Sequence, residues 1–263
     1  LLKSNTGSVH QTFANHSAPL VGGGYIFLPL VFFYFNEYQI LFTAFILFFL
    51  LGLFSDLNII RSAKKRFFLQ IFILFLFIYF SKIEITSTRL DLLDIFLENI
   101  FINYFFTLFC LIVLINGSNF IDGLNSLLLT YLALILFFLF KLDLFDPVIF
   151  LNSKEACLAI ILIFIIIMNF FNQLFLGDSG SYSLSFLIGV ILINTYNLNP
   201  EITPYFIILL LWYPCFENLF SIFRKIISRK DPLKPDNEHL HYLLYTFLKQ
   251  KLNISRLKSN NFS

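Results

Sequence analysis

The sequence predicts an all-α, polytopic integral membrane protein: a helical bundle with about eight transmembrane helices. Three observations carry that expectation. Residues of the AVILMFWYC set fill 58% of the 263 positions and charged residues only 13%, against about 45–50% and about 25% in a soluble domain. Mean hydropathy is +0.82. The apolar residues also come in runs that approach the roughly 20 positions a helix needs to cross a bilayer core. Disorder, a secreted disulfide scaffold and nucleic-acid binding are excluded by the same figures. Cys110, Cys157 and Cys215 lie in apolar stretches without paired spacing, so they support neither a disulfide framework nor a zinc site.

The expected spans run in order. Residues 23–35 form a short first span, and 38–54 a second after Asn36–Glu37. Residues 67–80 form a short third, eased by Arg66 and Lys82 at its ends. Then come 99–115, 124–140, 156–175, 182–196 and 202–223. Short spans are accommodated by bilayer thinning or by snorkelling of flanking basic side chains. A polar residue on a lone span, such as Asn103 or Asn194, is expected to make an interhelical hydrogen bond. The 38 Phe residues fit coding bias better than an aromatic functional box.

Alternation assigns the connecting segments to two sides. The N-terminal stretch, 55–66, 116–123, 176–181 and everything after 223 fall on one. Asn36–Glu37, 81–98, 141–155 and 197–201 fall on the other. Of the 18 Lys and Arg residues, the second side holds Lys82, Arg89, Lys141 and Lys154, and the first holds the remaining 14. Basic residues mark cytoplasmic loops, so the first side is expected to face the cytoplasm.

Polar interruptions collect on that same side: Ser55-Asp56, the run Asn116 to Asn125, Gly177-Asp178-Ser179-Gly180, and Pro235-Asp236 through His239-Leu240-His241. An ionisable residue at a membrane boundary marks a functional site by default, and several converging make a shared site the better expectation. Asn116, Asn119, Asp122 and Asn125 recur every third residue, so successive members neighbour one another on a helix surface. Their oxygens suit a hard cation such as Mg²⁺, which takes carboxylates, water and substrate phosphates. The basic clusters at 61–66 and after 223 would draw an anionic soluble substrate. Together these features suggest phosphoryl transfer onto a lipid, chemistry that depends on positioning and charge neutralisation.

Five blocks, in order, carry a resemblance: Pro19-Leu20-Val21-Gly22-Gly23, Gly52 to Asp56, Asn116 to Asn125, Phe175 to Gly180, and Pro235-Asp236 through His241. On them the chain resembles the polyprenyl-phosphate N-acetylhexosamine-1-phosphate transferases of glycosyltransferase family 4, in the branch that acts on UDP-N-acetylglucosamine. The resemblance implies that N-acetylhexosamine-1-phosphate passes from a UDP-sugar to undecaprenyl phosphate with release of UMP, initiating a cell-envelope polysaccharide. It implies a multi-pass protein of the bacterial inner membrane with its site facing the cytoplasm, and a homodimer as a possible assembly. Asp178 would ligand Mg²⁺ (Mn²⁺ a possible substitute), with Asn119 as second candidate. Asp122, with Asn116 and Asn125, would line the nucleotide site. His239 and His241 would hold phosphates, with Arg229 nearby. Asp56 would be the base or orienting group for the lipid phosphate, and Asn169, Glu217 and Asp236 support residues.

The chain departs from the family pattern at Ser55, where an aspartate is common, at Asn125, where the block usually ends in Asp, and at Tyr242, where a further histidine is common. One transferase domain over 1–263 is expected, with catalytic loops at 55–66, 116–125, 176–181 and 224–244, and with outer spans missing at the ends. Competing readings are a non-catalytic homologue, a transporter, and an intramembrane protease using Ser179. The last needs an activating histidine, and none lies between residues 17 and 238.

Overall fold

The computed structural model describes residues 19–142, 153–229, 238–251 and 256–261. Its elements are helical: α1 Gly22–Tyr34, α2 Gln39–Asp56, α3 Ala63–Ser81, α4 Asp91–Leu97, α5 Ile100–Ile121, α6 Leu127–Lys141, α7 Ser153–Phe170, α8 Gly177–Leu198, α9 Pro204–Leu210, α10 Trp212–Ile227, α11 Leu240–Lys251 and α12 Arg256–Asn261. Among the described residues there is no strand, only a bridge between Leu20 and Phe175. Each expected apolar stretch contains a helix, that within 156–175 ending at Phe170, but the described helices do not confirm eight crossings. By length and composition, α2, α5 and α8 can each cross a membrane, and α9 with α10 make a fourth span if that bent pair counts as one. α1 and α6 are shorter apolar helices, as is the apolar part of α7.

Several boundaries differ from expectation for local reasons. α3 starts earlier than expected because the Ser62 side chain accepts from the Lys65 N–H and caps the helix, which draws Lys64, Lys65 and Arg66 into its first turn. The stretch at 202–223 breaks at Leu211, where α9 and α10 meet at 77°. α10 then turns a face containing Glu217, Asn218, Ser221 and Lys225 into the protein, while Phe216, Leu219, Phe220 and Phe223 stay exposed. That arrangement is inside-out relative to a soluble amphipathic helix and suits a lipid-facing one.

α8 is the central helix, packed by α1, α2 and α5. It feeds two cores. On one side Phe186 joins Phe45, Phe48, Leu74 and Phe77 of α2 and α3. On the other, Leu184, Ile188 and Leu192 join Ile26, Leu128, Leu132 and Ile165. Hydrocarbon gives helices no solvent-driven reason to associate, so small residues set how closely they pack. A Cβ on Gly52 would lie 2.3 Å from Ser179 Cα, one on Gly117 2.1 Å from the Pro214 carbonyl oxygen, and one on Gly23 2.5 Å from Gly180 N. Large apolar side chains such as Phe32, Phe68, Phe101 and Phe105 project outward, as lipid-facing residues would.

Among the described residues, the connecting segments gather at two ends of this bundle. Segments 55–66, 116–125, 176–181 and 238–241 meet at one end. At the other, Thr86 pairs with Asn197, Tyr196 with the Ser87 carbonyl, and the Arg89 guanidinium donates to the carbonyls of Pro200 and Ile202. Asn103 makes the expected bonds, to Ile85 and Leu97 backbone and to Thr107. Asn194 differs: it is exposed at the far end, on the wall of a cavity of about 690 Å³.

Candidate active site

The site is built around the N-terminus of α8. The Pro19-to-Gly23 block lies along 174–176, with Phe175 N–H donating to the Pro19 carbonyl at 3.1 Å and Gly22 and Gly23 N–H donating to those of Phe175 and Leu176. That contact fixes the approach to Gly177, whose φ of +77° lies where a side chain is strained. A Cβ there would also meet Asp56 Oδ2 at 2.7 Å.

Asp56, the last residue of α2, serves as the missing cap of α8. Its Oδ1 accepts from Asp178 N–H at 2.9 Å and its Oδ2 from Ser179 N–H at 3.1 Å. A carboxylate there satisfies two of the orphan donors of a helix start and meets the positive end of its dipole. The geometry therefore ties the Ser55-Asp56 and Asp178 blocks together by the backbone of one and the side chain of the other.

Asp178 faces a ring of donors. Its Oδ2 accepts from Ser55 Oγ at 2.5 Å, Arg66 Nη1 at 3.0 Å and Tyr182 Oη at 3.4 Å, and Arg66 also donates to Ser55 Oγ. Ser55 thus donates to the Asp178 carboxylate, where an acidic side chain would repel it. One turn on, Ser181 Oγ donates to Asn119 Oδ1 at 3.0 Å, which brings the end of α5 to the same place.

Asp122 follows α5 directly and is buried. Burial pushes its carboxyl well above the usual range, and the charges of Asp178 and Asp56 push the same way. The expected helical spacing of the four polar residues ends there. Asn116 and Asn119 lie in α5, but Asn125 lies beyond it in the turn before α6, with Ser126 in left-handed backbone. Asn116 Nδ2 donates to Gln70 Oε1 and the Ile112 carbonyl.

The histidines approach from the other flank. His239 stacks on Phe120 with ring centroids 5.1 Å apart, and its Nδ1 lies 2.9 Å from Glu217 Oε2. Glu217 Oε1 accepts from Leu240 N–H at 3.0 Å. His241 is fully buried, parallel to His239, with Nδ1 3.0 Å from Tyr213 Oη. Its Nε2 is buried without a hydrogen-bond partner among the described residues. Burial pushes the His241 imidazole down to about 3, helped by the His239 charge and opposed by Glu217, so the ring is neutral at physiological pH. Tyr242 sets its hydroxyl against Gly123.

Two expected residues have other surroundings. Asn169 spends its amide on structure: Oδ1 accepts from the Ser126 N–H and Nδ2 donates to the Leu174 carbonyl at 2.8 Å, which knits the turn after α5 to the segment before α8. Arg229 is exposed at the end of α10, in left-handed backbone, and is not brought to the cluster. Asp236 lies outside the described residues. Neither histidine of the cluster is placed on Ser179, so no protease dyad forms among the described residues. Arg66, Gln70, Tyr182 and Tyr213 were not legible as site residues. Arg66 looked like one member of a topology-setting basic run, and only the charge of Asp178 opposite distinguishes it.

Residues 38–196, well over half of the chain, match the family model described as Glycosyl transferase family 4. The chain belongs to glycosyl transferase family 4. Its family relatives include an "Undecaprenyl-phosphate alpha-N-acetylglucosaminyl 1-phosphate transferase" of Thermotoga maritima, 30% identical over 228 residues that cover 86% of this chain and 68% of the relative. A "Probable undecaprenyl-phosphate N-acetylglucosaminyl 1-phosphate transferase" of Bacillus subtilis is 26% identical over 71% of this chain and 52% of its own length. A "Decaprenyl-phosphate N-acetylglucosaminephosphotransferase" of Mycolicibacterium smegmatis is 30% identical over 52% of this chain and 39% of its own. The chain spans about half the length of several of these family members. The region matched to the family model contains Asp56, Arg66, Asn119, Asp122 and Asp178, and the histidine cluster lies outside it.

Proposed function

We propose that this membrane protein transfers N-acetylhexosamine-1-phosphate, foremost N-acetylglucosamine-1-phosphate, from a UDP-sugar to undecaprenyl phosphate and releases UMP, at the cytoplasmic face of a bacterial inner membrane. The observation that carries this reading is the meeting of Asp56, Arg66, Asn119, Asp122, Asp178 and His239 at one end of an apolar bundle, with acidic and basic groups interleaved. The names of the relatives support it, as does the concentration of Lys and Arg at that end.

In the proposed reaction an oxygen of the lipid phosphate attacks the β-phosphorus. The new P–O bond forms as the bond to the bridging oxygen breaks, and UMP leaves with that oxygen. Asp56 holds the start of α8 so that Asp178 and Ser181 face the reacting groups. The Arg66 guanidinium, already on Asp178, supplies a fork for a phosphate oxygen. His239, oriented by Glu217, and neutral His241 line the phosphate side, and Asp122 with Asn116 and the Asn125 turn lines the nucleotide.

The donor set fits Mg²⁺. Asp178 offers a carboxylate and Asn119 an amide oxygen, and among the described residues no three His, Cys, Asp or Glu side chains form a complete cage. Mg²⁺ commonly takes one or two protein oxygens and completes its shell with water and substrate phosphates. Bound there, it would neutralise charge developing on the pyrophosphate. The test is UMP release by purified protein in detergent across a panel of UDP-hexosamines, with and without undecaprenyl phosphate and Mg²⁺. Release that needs both supports the reading. Release that needs neither refutes it, and no release with any donor points to a non-catalytic homologue.

A further inference from the structure

The turn after α5 is clamped from two directions, and one of the clamps has no task in the reaction as described. On one side Asn169 and the Ile166 carbonyl hold Ser126, the latter accepting from Ser126 Oγ at 2.8 Å. On the other, Asn260 Oδ1 accepts from the Asn125 backbone N–H at 3.2 Å, and Asn125 Nδ2 donates to Asn261 Oδ1 at 2.7 Å. These bonds join residues 135 and 136 positions apart. Ser259 and Asn260 are buried at 0% and 3% exposure, although they belong to a polar six-residue helix. The turn they hold needs holding. Ser126 has a φ of 57°, a conformation that costs a non-glycine residue energy unless its surroundings enforce it.

We propose that Asn260 and Asn261 are positioning residues of the subsite that takes the nucleotide end of the UDP-sugar donor. They fix the Asn125 turn and, through it, the carboxyl of Asp122, three residues back. The inference rests on the proposed function for the identity of the donor, but the clamp itself does not. α11 reinforces the assignment, because Tyr242 and Tyr245 pack on Leu124 in the same turn. The strap at 256–261 and the tyrosines at 242 and 245 thus grip the segment between Asp122 and Ser126 from two sides. A mutation in the strap should therefore be felt at the nucleotide end of the donor and not at the lipid phosphate.

The test compares the full chain with Asn260→Ala, Asn261→Ala and Asn260→Asp in detergent. Backbone amide exchange is followed by mass spectrometry on peptides covering residues 122–128, and UMP release is measured against UDP-N-acetylglucosamine and undecaprenyl phosphate in turn. In Asn260→Ala the Asn125 amide is expected to exchange about fivefold faster and the KM for the UDP-sugar to rise about fivefold, the worth of one net hydrogen bond. The KM for the lipid and kcat should stay within about twofold, the lost bond being felt in donor binding. Asn260→Asp keeps the acceptor oxygen and should restore both values. Unchanged exchange at Asn125 overturns the clamp. Faster exchange with an unchanged donor KM, or equal damage to both KM values and kcat, overturns its role in the donor subsite. If the wild-type chain releases no UMP from any UDP-hexosamine, the reaction assignment and the donor role fail together, and the exchange comparison still decides whether the strap holds the turn.

Discussion

Replacing Asp56 separates a cap from a base. In Asp56→Ala the N–H groups of Asp178 and Ser179, bonded at 2.9 and 3.1 Å, both lose their acceptor. Loss of an N-cap costs about 0.5–2 kcal/mol, and a buried donor left without a partner about 1–3 kcal/mol. Ser179 is 2% exposed, so its N–H has little water to turn to. The sum is about 1.5–5 kcal/mol, or a fall of roughly 5–15 °C in Tm at about 3 °C per kcal/mol. Asp56→Asn keeps one oxygen as acceptor and turns an amide NH₂ toward the other N–H, which should cost about half as much. Thermal melts by circular dichroism in detergent measure both, alongside UMP release. The expected order in stability and in activity is wild type, Asn, Ala. Both variants melting with the wild type would refute the capping argument. Complete and equal loss of activity in both, with unperturbed melting, would make Asp56 a base and not a cap.

Three further outcomes are expected. Asp178→Ala should abolish UMP release while the protein stays folded in the membrane; its removal leaves Arg66 and Ser55 without their shared acceptor, and activity within about tenfold of wild type would exclude the assigned role. Gly52→Ala should destabilise by about 1–3 kcal/mol, because its Cβ would meet Ser179 Cα at 2.3 Å, whereas Gly24→Ala, with nothing within 4 Å, should be tolerated; equal melting of the two variants would contradict the packing. For His241, the folded-state value of about 3 lies below the ordinary 6.5. The unfolded chain therefore takes up a proton first as pH falls, and stability is present above about 6.5 and lost on acidification. The slope is on the order of 1 kcal/mol per pH unit from about pH 6 to about 4. Melts of wild type against His241→Gln should show that slope flatten in the variant, and parallel curves would refute the buried-neutral assignment.

Much of this arrangement was legible in the sequence. The parity of apolar runs and basic loops assigned 55–66, 116–123 and 176–181 to one side, and the fold brings them together through Asp56, Asn119 and Asp178. What escaped has identifiable causes. The three-residue period from Asn116 to Asn125 reads as one helical face, but α5 stops at Ile121, so the last member sits in a turn and meets Asn260 and Asn261 instead. Partners so far apart in sequence leave no local pattern. Arg66 is indistinguishable from Lys64 and Lys65 by composition. Its place in the first turn of α3 depends on the Ser62 cap, and its choice of Asp178 depends on the α2–α8 contact that Gly52 permits. The 77° break at Leu211 falls inside an unbroken apolar run. The pairing of Glu217 with His239 needs that bend to turn the polar face of α10 inward.

The most direct measurement follows the β-phosphorus. Purified protein in detergent is given UDP-N-acetylglucosamine carrying radiophosphorus at the β-position, with undecaprenyl phosphate and Mg²⁺, and lipid and aqueous phases are separated. Transfer of the sugar with its phosphate moves the label into the lipid and leaves unlabelled UMP in water. Label that stays in water as UDP, while sugar reaches the lipid, would contradict phospho-sugar transfer and show transfer of the sugar alone.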